Sequence, residues 1–253
     1  MGDISPPEWL VGDPFVDTEL GVLRTGKEAQ VDLIERRGPD GRSCLLARKY
    51  YLPRTVATKG QLEALGVQRA STFRNDVQYR EGRQFRKSRD RRAVERMSAH
   101  GKRLLQSRWT DHEFQVMHRL WSAGVSVPYP VSFGDDRFVL EYLGGRDGAA
   151  PQLAEARLDG ATLVDAAEQL IDGLATIAAA GWAHGDLSAY NLLWWDDRLW
   201  FIDFPQAVDL AANPQGIDFL HRDVVNVCAW FTRRGHPLDP EDLFAELLSS
   251  VCW

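Results

Sequence analysis

Two carboxylates and an amide stand at an informative spacing late in this chain. Asp186 and Asn191 belong to the octapeptide His184–Asn191 (HGDLSAYN), and Asp203 sits in Ile202-Asp203-Phe204 a short way downstream. Transfer of a phosphoryl group needs a base or positioning group for the acceptor hydroxyl. It also needs oxygen ligands for the magnesium that offsets triphosphate charge. One carboxylate, one amide and a second carboxylate form such a set. By themselves Asp and Asn are equally ordinary as turn and capping residues.

The intervening residues tip the balance. Leu192–Trp195 and Leu199–Ile202 are short apolar runs around Asp196-Asp197-Arg198, which reads as a hairpin. Asp186 and Asn191 then lie on the loop entering the hairpin and Asp203 at its exit, so the three oxygen-bearing groups meet at one end of a rigid unit.

A cation is expected from the first part of the chain. Ala29–Arg37 and Cys44–Tyr51 read as strands around the turn Gly38–Gly41. Alternation puts Leu45, Ala47 and Lys49 on one face. An ammonium among apolar neighbours needs an anion, such as triphosphate oxygens, unless it snorkels at a sheet edge. Ahead of these strands Thr25-Gly26-Lys27 forms a Gly-Lys turn able to lay N–H groups and a charge over phosphates, although one glycine makes a weak motif. Thr110–Glu113 opens a helix with Phe114, Met117, Leu120 and Trp121 at helical spacing and Gly124 as stop. Glu113 is either the N3 residue of a capping box begun by Thr110 or the partner of Lys49. Val131–Phe133 and Phe138–Leu143 are two further strands. Leu143–Gly145 reads as a hinge, with the backbone of Glu141–Leu143 placed for an adenine edge. Thr162–Ala180, Ile217–Arg233 and Glu241–Leu248 read as helices, whereas Trp9–Leu23 is mixed and uninformative.

Composition bounds the remainder. The chain has 253 residues, 44% hydrophobic and 26% charged, as expected of a globular protein able to bury a core. Its longest apolar stretch, Ala161–Ala183, contains Asp165, Glu168 and Asp172 and so reads as a core helix rather than a membrane span. Met1–Asp13 shows no export signal. Cys44, Cys228 and Cys252 are scattered, which argues for a reducing, cytoplasmic setting rather than a disulfide or zinc framework. Net charge is −6, yet Arg69–Arg108 carries 13 Lys/Arg against 4 Asp/Glu, a local +9 that leaves −15 elsewhere. Such a block is a solvated face or a contact for a polyanion.

In order, these pieces resemble the RIO family of atypical protein kinases. The resemblance rests on TGKEAQV (Thr25–Val31), ARKY (Ala47–Tyr50), HGDLSAYN and IDFPQAV (Ile202–Val208). AGVSVPYP (Ala123–Pro130), LEYLG (Leu140–Gly144) and FLHRDVVNV (Phe219–Val227) support it. It implies an α+β fold: a trimmed two-lobed kinase with a mainly antiparallel sheet and helix in residues 1–143 and a mainly helical lobe in 144–253. It implies ATP and Mg2+ as cofactors. Lys49 would hold phosphates with Glu113 as partner, Asp186 would be the catalytic aspartate, and Asn191 and Asp203 the metal ligands. Thr25, Gly26 and Lys27 would form the phosphate loop; Val31, Ala47, Leu140 and Leu193 would enclose the base, with Glu141 and Leu143 at its edge.

Departures matter too. Gly185 stands where ordinary protein kinases have arginine, Ser188 where serine/threonine kinases place a lysine on the transferring phosphate, and Phe204-Pro205 follows Asp203 in place of Phe-Gly. A site without an activation-loop switch is implied. Ala189 and Pro205 depart from the RIO pattern and bear on substrate choice. Nothing resembling a winged helix precedes Thr25, which favours the subgroup without that domain. Family analogy makes the basic segment a contact for RNA or a ribosomal particle. Two other readings stay open at this level: an aminoglycoside-type small-molecule phosphotransferase, which shares HGDL and IDF, and a nucleotide-gated RNA-binding module.

Overall fold

Strand alternation and helix periodicity account for most of the architecture. The computed structural model describes residues 5–26, 29–51, 99–134 and 137–251, with backbone alone for 99–109. The first part is an antiparallel sheet of β1 (Val16–Thr25), β2 (Ala29–Arg37), β3 (Ser43–Tyr51), β4 (Pro130–Phe133) and β5 (Arg137–Glu141), ordered β1-β2-β3-β5-β4. The β2–β3 register pairs Ile34 with Leu46 and Val31 with Lys49. On one face Ile34, Leu46 and Val139 make a small apolar cluster. On that face Asp17 receives two 2.8 Å hydrogen bonds from the Arg36 guanidinium. The other face carries Ala47, Lys49 and Phe138 toward helix α1 (Ala99–Ser122).

Helix α1 corrects one expectation. Thr110 does not open a helix; it is fully buried inside one that runs from Ala99. The N–H groups that a capping box would satisfy are therefore paired within the helix, and the Glu113 carboxylate has no cap to serve. A second difference is β1, which falls on the stretch that reads as mixed. It is an edge strand exposed along nearly its whole length, so burial imposes no apolar alternation on it. The expected basic segment Arg69–Arg108 and Lys27 lie outside the residues whose side chains are described.

Beyond β5, a two-strand turn pairs β6 (Gly144–Gly145) with β7 (Gly148–Ala149). There follow α2 (Gly160–Ala179), β8 (Trp182–Ala183), the hairpin of β9 (Leu192–Trp195) and β10 (Arg198–Phe201), and β11 (Val208–Asp209). The last elements are α3 (Gly216–Thr232) and α4 (Pro240–Ser250). Asp159 caps α2 by accepting from the Thr162 N–H at 2.8 Å. Asp239 caps α4 ahead of Pro240, a residue suited to a first turn because it has no N–H to leave unpaired. Leu163, Ala166, Ala167, Leu170, Leu174, Ile177 and Ala178 form the buried stripe of α2. That stripe joins one continuous core with Phe114 and Met117 of α1 and Phe201 of β10. No helix among the described residues is long and apolar enough to cross a membrane.

Gly173 marks a close approach of α2 to the hairpin. A Cβ there would lie 2.4 Å from the Phe201 ring, which is itself fully buried. Helix propensity alone favours Gly173→Ala by about 1 kcal/mol, but overpacking a rigid core costs roughly 1–3 kcal/mol. Gly173→Ala is expected to destabilise, read as a lower urea midpoint at unchanged m-value; a raised midpoint would show that the ring yields.

Candidate functional site

Each site residue is held by the element that carries it. The β9–β10 turn places Asp196 and Asp197 at φ 52° and 53°, the positive values a two-residue hairpin turn requires. The hairpin pairs Leu192 with Phe201 at its open end. There the Ile202 N–H donates to the Asn191 carbonyl at 3.0 Å, and the Ile202 carbonyl accepts from His184 Nε2 at 3.0 Å. Asp203 follows at φ 69°, a left-handed conformation uncommon outside glycine. Asn191 turns back to donate from Nδ2 to the Asp186 carbonyl at 2.8 Å, and Gln206 Nε2 donates to the Asp186 carboxylate at 3.3 Å.

Below the loop, Asp223 of α3 is completely buried. It accepts from the N–H groups of Gly185 (2.7 Å) and Leu187 (2.8 Å), on either side of Asp186. Burial raises the Asp223 pKa, against the opposing effect of nearby His184 and these two hydrogen bonds. Arg222 Nη2 donates to the Gly185 carbonyl. Gly185 has φ 82°, and a Cβ on it would strike the Gln206 carbonyl. That close approach, rather than the loss of a regulatory cation, is the local reason for glycine before Asp186.

Lys49 joins the sheet to this loop. Its ammonium donates to Glu113 at 2.7 and 3.0 Å and to Asp203 at 2.5 Å. Glu113, 1% exposed, also accepts from the Tyr51 hydroxyl at 2.5 Å and the Phe204 N–H at 3.0 Å. One carboxylate thus ties β3, α1 and the residue after Asp203 together. Burial alone would lower the Lys49 pKa, but Asp203 and Glu113 outweigh it and the net shift is upward. For Asp203, burial acts to raise the pKa and the Lys49 ammonium overrides it, so the net shift is downward.

These groups surround a cleft of about 700 Å³. Of the expected site residues, Gly26, Val31, Ala47, Lys49, Glu113, Leu140, Glu141, Leu143, Asp186, Leu193, Asn191 and Asp203 line it. Two expected residues do not. Thr25 pairs with Gln30 at the end of the β1–β2 ladder, outside the lining. Ser188 also lies outside it; its hydroxyl accepts from the Tyr190 N–H at 3.4 Å, a local turn contact. In the Glu141–Leu143 stretch, the Glu141 N–H is taken by the Tyr129 carbonyl and the Leu143 carbonyl by the Ala150 N–H, both at 2.9 Å. Sequence reasoning missed Asp223, Gln206, Arg24 and Gln152. Asp223 and Gln206 fall in quoted stretches, but no local spacing shows what either one reaches.

A sheet with a buried lysine, set over a helical part with an Asp/Asn loop and a further aspartate, defines a two-lobed kinase-like phosphotransferase. The RIO domain family model matches residues 58–243. The chain belongs to the RIO family of atypical kinases. RIO-type serine/threonine-protein kinase Rio1 of Thermoplasma acidophilum is 36% identical over 135 residues, which is 53% of this chain and 69% of that protein. Rio1 of Haloferax volcanii is 33% identical over 235 residues, covering 93% of this chain and 70% of the relative. The family match begins after Lys49; the Haloferax alignment is long enough to reach into the sheet that carries it. Among solved structures, a Rio2 kinase from Chaetomium thermophilum, determined as an ADP/Mg2+–phosphoaspartate complex, superposes at TM-score 0.60 and 19% identity. That superposition covers 92% of this chain and 62% of the other and bears on the fold.

Two outcomes follow for the ion cluster. Glu113→Ala leaves Lys49, the Tyr51 hydroxyl and the Phe204 N–H short of a buried partner, and is expected to cost about 3–5 kcal/mol in urea unfolding. Wild-type stability would contradict the bracing role. The Asp203 pKa is lower in the folded chain than its ordinary 3.8. Its contribution to stability is therefore complete above the unfolded value and lost as pH falls through the folded one. Stability curves of Asp203→Asn and wild type should converge on acidification below about pH 4; a constant offset down to pH 2 would refute this.

Proposed function

We propose that the cleft binds ATP with magnesium and that this chain transfers the terminal phosphoryl group to a serine or threonine hydroxyl, with water as a competing acceptor. The observation that carries the reading is the position of Lys49 Nζ, 2.7 Å from Glu113 and 2.5 Å from Asp203, in the cleft that Asp186 and Asn191 also line. Glu113 holds the ammonium on station, and the ammonium pairs with phosphate oxygens. The Asp186 carboxylate, steadied by Gln206, orients the acceptor hydroxyl and accepts its proton. Val31, Ala47, Leu140 and Leu193 enclose the base, and the Leu143 N–H is the donor assigned to its edge.

The donor chemistry of Asn191 and Asp203 suits magnesium. An amide oxygen and a carboxylate are hard ligands, and magnesium takes few protein ligands when phosphates complete its shell. When bound, the ion offsets charge on the phosphates. The basic Arg69–Arg108 segment supports docking of a polyanion such as RNA or a ribosomal particle, and the scattered cysteines support a cytoplasmic setting.

The test is Asp186→Ala in purified protein, followed by ATP hydrolysis, autophosphorylation and nucleotide binding. Turnover is expected to fall on the order of a thousandfold, with ATP still bound. Undiminished turnover would remove Asp186 from the chemistry and overturn the mechanism.

A further inference from the structure

Among its described side chains the cleft is short of positive charge, even with the magnesium ion of the proposed mechanism beside the phosphates. Its described lining includes five carboxylates, Glu113, Glu141, Glu155, Asp186 and Asp203, against two cations, Lys49 and Arg24. Lys49 is already shared between two of those carboxylates. A triphosphate brings further negative charge to this acidic recess, where like charges repel more strongly than in water. Arg24 is therefore the second cation among the described lining residues, and its hydrogen-bond partner there is a neutral amide.

The local geometry places it. The β1–β2 register slips between Val22 and Arg24. Such a bulge inserts a residue and re-aims the side chains around it, and here Leu23 and Arg24 both line the cleft. Arg24 Nη2 donates to Gln152 Oε1 at 3.2 Å. Gln152, 6% exposed, donates in turn from Nε2 to the carbonyl of Tyr190, the residue before Asn191. Gln152 is itself fixed: it bridges to Leu193, with the Leu153 N–H on the Leu192 carbonyl and the Trp194 N–H on the Pro151 carbonyl. An arginine on the sheet is thus seated, through an amide anchored on the β9 strand, at the loop bearing Asn191. Its charge also acts on Asp203, helping to hold that carboxylate ionised.

We infer that Arg24 is a phosphate-binding cation of this cleft, seated by Gln152, which makes the site favour nucleoside triphosphate over uncharged nucleoside. The inference rests on the cleft being the ATP site. A planar guanidinium with several donors can keep one bond to Gln152 and give another to a phosphate oxygen, which a single point charge does less well.

The experiment is calorimetric titration of wild type, Arg24→Gln and Arg24→Lys with Mg-ATP and separately with adenosine, at two salt concentrations. Arg24 is exposed on an edge strand, so melting temperatures should agree across the three proteins. Arg24→Gln is expected to weaken ATP binding about tenfold, as loss of a charge-assisted contact does. Adenosine affinity should stay within about twofold, and the salt dependence of ATP binding should be shallower. Arg24→Lys should recover part of the loss. Equal ATP affinity in Arg24→Gln, or a parallel loss for adenosine, would overturn the inference while leaving the ATP site intact. Failure of wild type to bind ATP at all would overturn the ATP reading and this inference with it.

Discussion

The buried ammonium of Lys49, shared between Glu113 and Asp203, is the interaction on which the rest of the structure depends. An unpaired charge at that depth costs several kcal/mol, so the ammonium draws its carboxylate partners toward it. Glu113 comes from the middle of a long helix and Asp203 from the exit of a distant hairpin. Holding them on one nitrogen fixes helix, sheet and loop against one another. The Phe204 N–H on Glu113 closes the same unit from the other side.

The second constraint is the support beneath the catalytic loop. Asp223 accepts two N–H groups flanking Asp186, so that loop is held by its backbone while Asp186 and Asn191 line the cleft. Gly185 allows the turn after Asp203 to press against the loop, and Gln206 from that turn then reaches the Asp186 carboxylate. These groups stand away from the reacting atoms, yet they set where the atoms sit, and small misplacements in such sites are costly.

The cleft lining is mixed: the apolar side chains Val31, Ala47, Leu140 and Leu193 stand with five carboxylates, Glu113, Glu141, Glu155, Asp186 and Asp203. A ligand with a flat apolar head and an anionic tail suits such a lining only if cations accompany the tail. On the proposed reading, Lys49, Arg24 and a magnesium ion held by Asn191 and Asp203 would each meet part of that demand.

Much of the site was legible before any coordinates. The spacing from Asp186 to Asn191 and the apolar runs around Asp196–Asp197 identify a loop–hairpin unit, because turn chemistry and strand alternation are local rules. Alternation likewise puts Lys49 on the face shared with Ala47. The choice between capping box and ion pair for Glu113 was not local: it depended on whether the helix began at Thr110 or earlier, and the helix runs from Ala99. The edge strand β1 left no trace, since a strand exposed along its length need not alternate. Asp223, Gln206, Arg24 and Gln152 act across separations of 20 to 128 residues in sequence. The one-dimensional pattern therefore determined which groups are candidates for the chemistry and on which local element each rides. Only the packed core decided which of them meet, because a long-range contact is set by how elements stack and not by their own residues.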